Sequence, residues 1–132
     1  MSPDELREMP LFAGMSEAGL ALVAADAADL EVEPGQVLAL PGDPGSGMFV
    51  ICDGEVTVES RAGPITLGAG NFVGELALLV PDSGRVARVR AATPVRCLSI
   101  SRDDFLALAE TEPSFTLELL RELARRLYLY AR

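Results

Sequence analysis

The residues that could carry chemistry in this 132-residue sequence are concentrated between Gly70 and Ala91. Gly74 lets the backbone come close to a ligand, and the run from Glu75 to Leu79 is too short and too closely bounded by turn residues for an ordinary helix. A single helical turn is predicted there. The first N–H groups of such a turn lack intrahelical partners and lie at the positive end of its dipole, so they can bind an anion.

Two side chains of opposite charge accompany this predicted turn. Arg85 begins a predicted strand, and its guanidinium could donate forked hydrogen bonds to the oxygens of a phosphodiester. Glu75 would repel a phosphate, whereas its carboxylate can accept a hydrogen bond from a sugar hydroxyl. Each residue taken alone also has an ordinary structural explanation, as a dipole partner, a solvated charge or a turn former. Together they predict a nucleotide ligand.

The rest of the composition argues against catalysis and metal binding. Histidine is absent, which removes the most frequent general base and metal ligand, and no paired carboxylates or activated nucleophile stand out. The two cysteines, Cys52 and Cys97, lie in apolar runs and are expected to be buried. We therefore expect no enzymatic activity and no metal site.

Charge and hydropathy indicate the surroundings of the chain. Eleven basic and twenty acidic residues give a net charge of −9, which repels the phosphates of nucleic acids and anionic lipid surfaces. The sequence contains no apolar run of about 18 residues that could span a membrane, and its start does not resemble a signal peptide. We expect a cytoplasmic protein that neither binds DNA directly nor inserts into a membrane.

Turn residues divide the middle of the sequence into many short predicted strands. Asp53-Gly54 is a hairpin signal between an apolar stretch at 48–52 and an alternating stretch at 55–59. Helical patterns precede and follow this region, which predicts an α+β barrel. The expected organisation is a single domain over residues 1–132, with a helical start at 1–28, strands over about 29–100 and helices over about 101–132.

With these residues identified, the sequence resembles the cyclic-nucleotide-binding domains of catabolite-activator-type regulators, cyclic-nucleotide-dependent kinases and gated channels. The resemblance covers about residues 10 to 130. It rests on Gly70-Asn71-Phe72-Val73-Gly74-Glu75-Leu76-Ala77-Leu78-Leu79, which is similar to the family's Phe-Gly-Glu-x-Ala-Leu, and on Arg85-Val86-Ala87, which is similar to its Arg-x-Ala. The fold this implies is an eight-stranded, jelly-roll-like β-roll with N-terminal helices, a short phosphate-binding helical turn and two C-terminal helices.

The resemblance also implies roles for the candidate ligand-binding residues. Glu75 would bond the ribose 2′-hydroxyl and Arg85 the cyclic phosphate. The backbone of the turn would surround that phosphate. The full candidate set is Gly74, Glu75, Leu76, Ala77, Arg85, Val86 and Ala87.

Three positions depart from the family pattern. Val73 stands where the family usually has phenylalanine, which reduces packing volume. Val86 has no hydroxyl where the family often has alanine, serine or threonine, which favours cAMP over cGMP as the ligand. Arg88 replaces a small hydroxyl residue and, by strand alternation, should point away from the Arg85–Ala87 face.

The last predicted helix, which begins at Pro113, has two features with alternative interpretations. One is an apolar stripe with coiled-coil-like spacing, formed by Leu117, Leu120, Ala124, Leu127 and Ala131. Packing against the chain's own barrel is its favoured interpretation, and a homodimer through this helix is the other. The second feature is the tyrosine pair Tyr128 and Tyr130, one of which could stack on a purine as a lid, although amphipathic packing is the ordinary explanation.

Three functions are compatible with these observations. The leading hypothesis is a stand-alone family member without a DNA-binding domain, which receives cAMP, or alternatively cGMP, and relays ligand occupancy through its C-terminal helix to a protein partner. In the related regulators a helix-turn-helix domain follows the matching helix, whereas this sequence ends at Arg132. The alternatives are a degenerate β-roll interaction module that no longer binds nucleotide, and the excised regulatory domain of a larger kinase, transporter or channel.

Overall fold

The computed structural model describes residues 1–39, 47–60, 63–80 and 87–131. Within these ranges the chain forms five helices and eight strands. The helices are α1 (Pro3–Arg7), α2 (Glu17–Asp26), α3 (Leu76–Leu79), α4 (Arg102–Thr111) and α5 (Pro113–Ala131). The strands are β1 (Ala28–Val32), β2 (Val37–Ala39), β3 (Gly47–Asp53), β4 (Val56–Ser60), β5 (Gly63–Leu67), β6 (Phe72–Val73), β7 (Arg88–Ala91) and β8 (Val95–Ser101). Contacts divide the chain into a helical unit, Met1–Asp26 with Asp103–Arg132, and a β unit, Ala27–Arg102.

The β unit consists, in its described ranges, of two four-stranded sheets. Their strand orders are β1-β8-β3-β6 and β2-β7-β4-β5, and every paired strand is antiparallel. Strands that follow one another in sequence mostly fall in different sheets, which is the pattern of a jelly-roll-like β-roll. The predicted α+β class and the eight-stranded β-roll are confirmed.

Inward-facing side chains of both sheets form one apolar cluster. On β7, Val89 and Ala91 are buried while Arg88 and Arg90 are exposed, as strand alternation requires. The cluster contains Ala39, Ile51, Val56, Val73, Val89, Ala91, Val95 and Cys97. Burial raises the pKa of the Cys97 thiol from its ordinary value of 9.0 to about 11. The prediction that both cysteines are buried is correct for Cys97 only, because Cys52 is half-buried.

The turn at Asp53-Gly54 does not form the predicted hairpin, because β3 and β4, which it joins, lie in different sheets. Gly54 has a φ of +88°, so the glycine turn itself is present. A Cβ at Gly54 would lie 2.1 Å from the carbonyl oxygen of Pro94, and the N–H of Glu55 donates to Oγ1 of Thr93 at 2.9 Å. These long-range contacts direct the chain into the second sheet instead of back along β3.

The helical unit has its own core around three phenylalanines. The Phe115 ring stacks on Phe12 with centroids 6.4 Å apart and meets Phe105 edge-on at 5.9 Å. The predicted N-cap of α2 is confirmed, because Oγ of Ser16 accepts a hydrogen bond from the N–H of Gly19 at 3.1 Å. In the described part of the chain, no helix is long and apolar enough to cross a membrane.

The apolar stripe on α5 does not pack as expected. Leu117, Leu120 and Leu127 are 46%, 58% and 71% exposed, whereas Phe115 and Leu119 on the same helix are buried. The helix therefore has two apolar faces, and the one at 115 and 119 packs in the core of the helical unit. The interpretation of the 117–127 stripe as a packed face is wrong.

Candidate functional site

The residues around Gly74 form the single helical turn that the sequence predicts. Gly74 has a φ of +91°, a conformation that glycine adopts without steric cost, and α3 follows directly. The carbonyl of Glu75 accepts hydrogen bonds from the N–H groups of Leu78 and Leu79, each at 3.0 Å. The N–H groups of Leu76 and Ala77 precede these donors and take no part in the internal bonding of α3. They lie at the positive end of the turn.

The chain that leads into α3 is fixed to β3 by backbone hydrogen bonds. The N–H of Gly70 donates to the carbonyl of Ile51 at 2.8 Å, and the N–H of Ile51 donates to the carbonyl of Asn71 at 2.8 Å. β6 then pairs with β3, and Val73 is buried in the apolar cluster between the inward-facing side chains of the two sheets. Valine therefore fills the family's phenylalanine position as a core residue, and α3 begins from a fixed point on the sheet.

Glu75 is the buried charged residue of this region. It occupies the N-terminal cap position of α3 and is only 4% exposed. Its side chain makes no capping hydrogen bond to the described turn that follows it. A carboxylate buried this deeply at the start of a helical turn is a candidate for a polar function.

The remaining residues of α3 divide between core and surface. Ala77 and Leu78 are buried, whereas Leu76 and Leu79 are 40% and 41% exposed. The four candidate residues Gly74 to Ala77 are thus contiguous and form one turn.

The candidates that follow the turn are only partly described. Arg85 and Val86 lie outside the described residues. Ala87 is half-buried and directly precedes β7. Tyr128 is 65% exposed on α5, which is contrary to its ordinary explanation as a packed residue. Tyr130 lies on α5 as well, and its side chain is outside the described part of the chain.

Arg88 points outward, as the alternation of β7 predicts. Its guanidinium lies 3.9 Å from the carboxylate of Glu59 on β4, and Arg90 forms a shorter contact of 3.0 Å with the same carboxylate. The side chains of Arg88 and Arg90 are each 45% exposed. These arginines bind across the outer face of the second sheet and are separate from the inward-facing cluster.

Sequence reasoning missed one residue that contacts the turn. The NH2 group of Arg102, the first residue of α4, donates a hydrogen bond to the carbonyl oxygen of Ala77 at 3.1 Å. A signal for it exists in the sequence, because an arginine at the start of a helix opposes the helix dipole while Asp103 and Asp104 beside it favour the dipole. The hydrogen bond to Ala77, which belongs to α3, explains why an arginine stands at the start of α4.

A second ion pair stabilises the first sheet. Asp29 on β1 accepts two hydrogen bonds from Arg96 on β8, at 3.0 and 2.6 Å. The hydrogen bonds from Arg96 lower the pKa of Asp29 below its ordinary value of 3.8. Cys52 has a raised pKa, chiefly because its thiol is partly desolvated. In the described residues, no group of histidine, cysteine, aspartate or glutamate side chains could hold a metal ion.

Comparison with known proteins identifies the family. The model of the cyclic nucleotide-binding domain family matches residues 29–112. A cyclic nucleotide-gated potassium channel of Rhizobium etli is 39% identical over 116 residues, which are 88% of this chain and 32% of the channel. The chain therefore spans about a third of that relative's length.

Two solved structures illustrate the similarity in fold. One, from a cyclic-GMP-dependent signalling pathway in bacterial phytopathogenesis, has a TM-score of 0.69 and 31% identity, covering 86% of this chain and 94% of its own. Another is the regulatory subunit of a cAMP-independent protein kinase A from Trypanosoma brucei, with a TM-score of 0.82 and 25% identity, covering 97% of this chain and 46% of its own.

Proposed function

Since this chain belongs to the cyclic nucleotide-binding domain family, we propose that it binds cAMP in its β-roll and relays ligand occupancy through α5 to a protein partner. The observation that carries the proposal is the placement of Glu75, a buried carboxylate at the start of a one-turn helix that follows a positive-φ glycine. Such a turn offers both an acceptor for a hydroxyl and unused N–H donors for an anion.

In the proposed complex a hydrogen-bond acceptor binds the ribose and hydrogen-bond donors bind the cyclic phosphate. Glu75 accepts a hydrogen bond from the ribose 2′-hydroxyl. The cyclic phosphate is bound by the backbone at Gly74, Leu76 and Ala77 and by the guanidinium of Arg85, and Val86 and Ala87, which follow Arg85, complete the proposed ligand-binding set. Because the chain carries a net charge of −9, long-range attraction of an anionic ligand is weak and these short-range donors supply the affinity.

The choice of cAMP over cGMP rests on Val86, which has no hydroxyl to offer to guanine or to the phosphate. Titration calorimetry with both nucleotides tests this choice. We expect tighter binding of cAMP, and equal or tighter binding of cGMP contradicts the assignment of the base while leaving nucleotide binding intact.

Arg85→Ala is the decisive variant for the phosphate contact. Loss of a charge-assisted contact to the phosphate is expected to weaken binding by about 100-fold or more. Arg88→Ala is the matched control, because it removes an outward-facing arginine from the same segment and is expected to change affinity less than about twofold. If the parent gives no heat at millimolar ligand, the chain is a β-roll interaction module instead. If the parent binds cAMP and Arg85→Ala binds it equally well, the guanidinium of Arg85 does not contact the phosphate.

The exposed face of α5 supports the proposed relay to a partner. Leu117, Leu120 and Leu127 present apolar side chains to solvent, and the ion pairs Arg121–Glu118 and Arg125–Glu122 lie beside them on the same helix. Contiguous exposed apolar surface of this kind is typical of protein contacts. A second copy of the chain, joined through this helix, is the alternative occupant, and sedimentation analysis with and without cAMP distinguishes the two.

Tyrosine fluorescence can report on α5 alone. The sequence has no tryptophan, and Tyr128 and Tyr130 are its two tyrosines. If either ring covers the purine, or if α5 changes its surroundings on binding, adding cAMP changes the tyrosine emission. An emission that stays constant at saturating ligand contradicts both the lid and the relay through α5.

A second candidate function is favoured by the similarity to the potassium channel over 88% of this chain. Under this alternative the sequence is the regulatory domain of a larger channel, and the partner of α5 is the rest of that protein. Reading the natural open reading frame on both sides of the sequence tests it directly.

A further inference from the structure

Arg102 connects two elements that lie 25 residues apart in the sequence. Its NH2 group donates to the carbonyl oxygen of Ala77 at 3.1 Å, in partly buried surroundings. Ala77 belongs to α3, and Arg102 is the first residue of α4. Both residues are part of the β unit, which ends at Arg102.

The hydrogen bond from Arg102 stabilises α3 at its C-terminal end. The backbone carbonyls of Glu75 and Leu76 accept the internal hydrogen bonds of the turn, whereas the carbonyl of Ala77 receives its hydrogen bond from Arg102. Carbonyls at the end of a helix lack intrahelical donors and carry the negative end of the dipole, where a cation is favourable. The guanidinium therefore stabilises α3 from the end opposite to the N–H groups of Leu76 and Ala77.

The same arginine is poorly placed for its own helix. It stands at the positive end of α4, next to Asp103 and Asp104, which are the residues that favour that end. Arg102 destabilises the start of α4, and its hydrogen bond to Ala77 offsets this by stabilising α3.

We propose that Arg102 is a positioning residue for the nucleotide site, which holds α3 in the orientation that presents the N–H groups of Leu76 and Ala77 to the cyclic phosphate. The proposal rests on the proposed function for its ligand.

Arg102→Met tests the proposal, because methionine keeps much of the aliphatic length and removes every donor. We expect cAMP affinity to fall about tenfold and Arg102→Lys, which keeps one cationic donor, to recover part of it. Arg96→Met is the matched control, since it removes another arginine and its ion pair with Asp29 from β8, and its affinity should stay within about twofold of the parent. Parental affinity in a folded Arg102→Met protein overturns the proposal.

Amide hydrogen exchange in the ligand-free protein separates this proposal from the proposed function. If Arg102 holds α3, the amides of Leu78 and Leu79, which close the turn, exchange faster in Arg102→Met than in the parent, while those of Arg96→Met do not. This result is expected even if the parent binds no nucleotide, in which case only the proposed function falls. Equal exchange in the parent and in Arg102→Met overturns the positioning role.

The parent protein itself provides a measurement if Arg102→Met fails to fold. The ¹⁵N-labelled guanidinium of Arg102 should show restricted rotation and slowed proton exchange, and its resonance should shift when cAMP is added. A freely rotating guanidinium overturns the proposal, and so does a resonance that does not move although calorimetry shows that cAMP is bound.

Discussion

Glu75 in the β unit and Glu112 in the helical unit are the buried charged side chains of the described residues, at 4% and 8% exposure. They are the same residue type at nearly the same burial. The hydrogen-bond partners of Glu112 belong to the protein: its Oε1 accepts from the N–H of Ser16 at 2.7 Å and its Oε2 from the Ser16 hydroxyl at 2.9 Å. It therefore fastens the start of α2 to the junction of α4 and α5.

Glu75 lies at the start of a one-turn helix instead of at a junction between helices. It occupies the N-terminal cap position of α3 without a side-chain capping hydrogen bond, beside the N–H groups of Leu76 and Ala77, which take no part in the internal bonding of the turn. The comparison teaches that burial alone does not identify a functional carboxylate, whereas position does: Glu75 lies at the start of the turn proposed to bind nucleotide, and Glu112 at the junction of two helices. If this is correct, substitutions at the two glutamates have opposite profiles: stability for Glu112 and ligand affinity for Glu75.

Glu112→Ala should have the largest effect on stability. It removes two charge-assisted hydrogen bonds and leaves the donors of Ser16 without their acceptor, which should lower the free energy of unfolding by about 3 kcal/mol. Urea denaturation measures the loss. The cAMP affinity of the folded fraction should stay within about twofold of the parent.

Glu118→Ala is the control for that variant, because it removes a carboxylate from an exposed ion pair with Arg121 on α5 and should cost no more than about 1 kcal/mol. A Glu112→Ala protein as stable as the Glu118→Ala protein would show that the hydrogen bonds of Glu112 to Ser16 do not stabilise the fold. The proposed difference between Glu112 and Glu75 would then be wrong.

Glu75→Gln should show the opposite profile. Glutamine keeps the shape and an acceptor but removes the charge, so we expect a change in unfolding free energy below about 1 kcal/mol and a loss of cAMP affinity of about 30-fold. Calorimetry with cAMP and 2′-deoxy-cAMP identifies the atom involved. The parent should discriminate strongly between the two ligands, and Glu75→Gln should discriminate much less.

That pair of ligands forms a double-mutant cycle for one hydrogen bond. If Glu75→Gln retains the parental preference for cAMP over 2′-deoxy-cAMP, Glu75 does not bind the 2′-hydroxyl. A large loss of stability in Glu75→Gln would instead assign Glu75 the structural role that Glu112 has.

Local features of this fold could be predicted from the sequence, and features set by distant contacts could not. The turn at Gly74 was predictable because a positive-φ glycine and a short bounded run determine it within six residues, 74–79. The start of α2 was predictable from Ser16 for the same reason. The strand partners were not, since a glycine turn at Gly54 is compatible with a hairpin or with a crossing between sheets, and Thr93 decides between them.

The exposed stripe on α5 and the contact of Arg102 also depend on distant contacts, which the sequence does not reveal. The spacing of Leu117 and Leu120 marks an apolar face, but α5 has a second one at Phe115 and Leu119, and periodicity does not tell which of them is buried. Arg102 was missed because its acceptor lies 25 residues away on another element. In the candidate site, the turn at Gly74 to Ala77 follows from the local sequence, while the ligand-binding roles of these residues and of Arg85, Val86 and Ala87 stay predictions.

The smallest expected effect tests how closely Glu112 packs against α2. Alanine is normally more stable than glycine inside a helix by about 1 kcal/mol. At Gly19, however, a Cβ would lie 2.7 Å from both Cδ and Oε1 of Glu112, so Gly19→Ala should instead destabilise the protein by about 1 kcal/mol. In the Glu112→Ala background the contacts with the carboxylate are removed. Cε of Met15, 2.9 Å from the added Cβ, remains, but it is the far end of a flexible side chain, so the same substitution should become stabilising. A Gly19→Ala effect of the same sign in both backgrounds would show that the carboxylate is free to move aside, and that Glu112 is held less rigidly than its hydrogen bonds to Ser16 indicate.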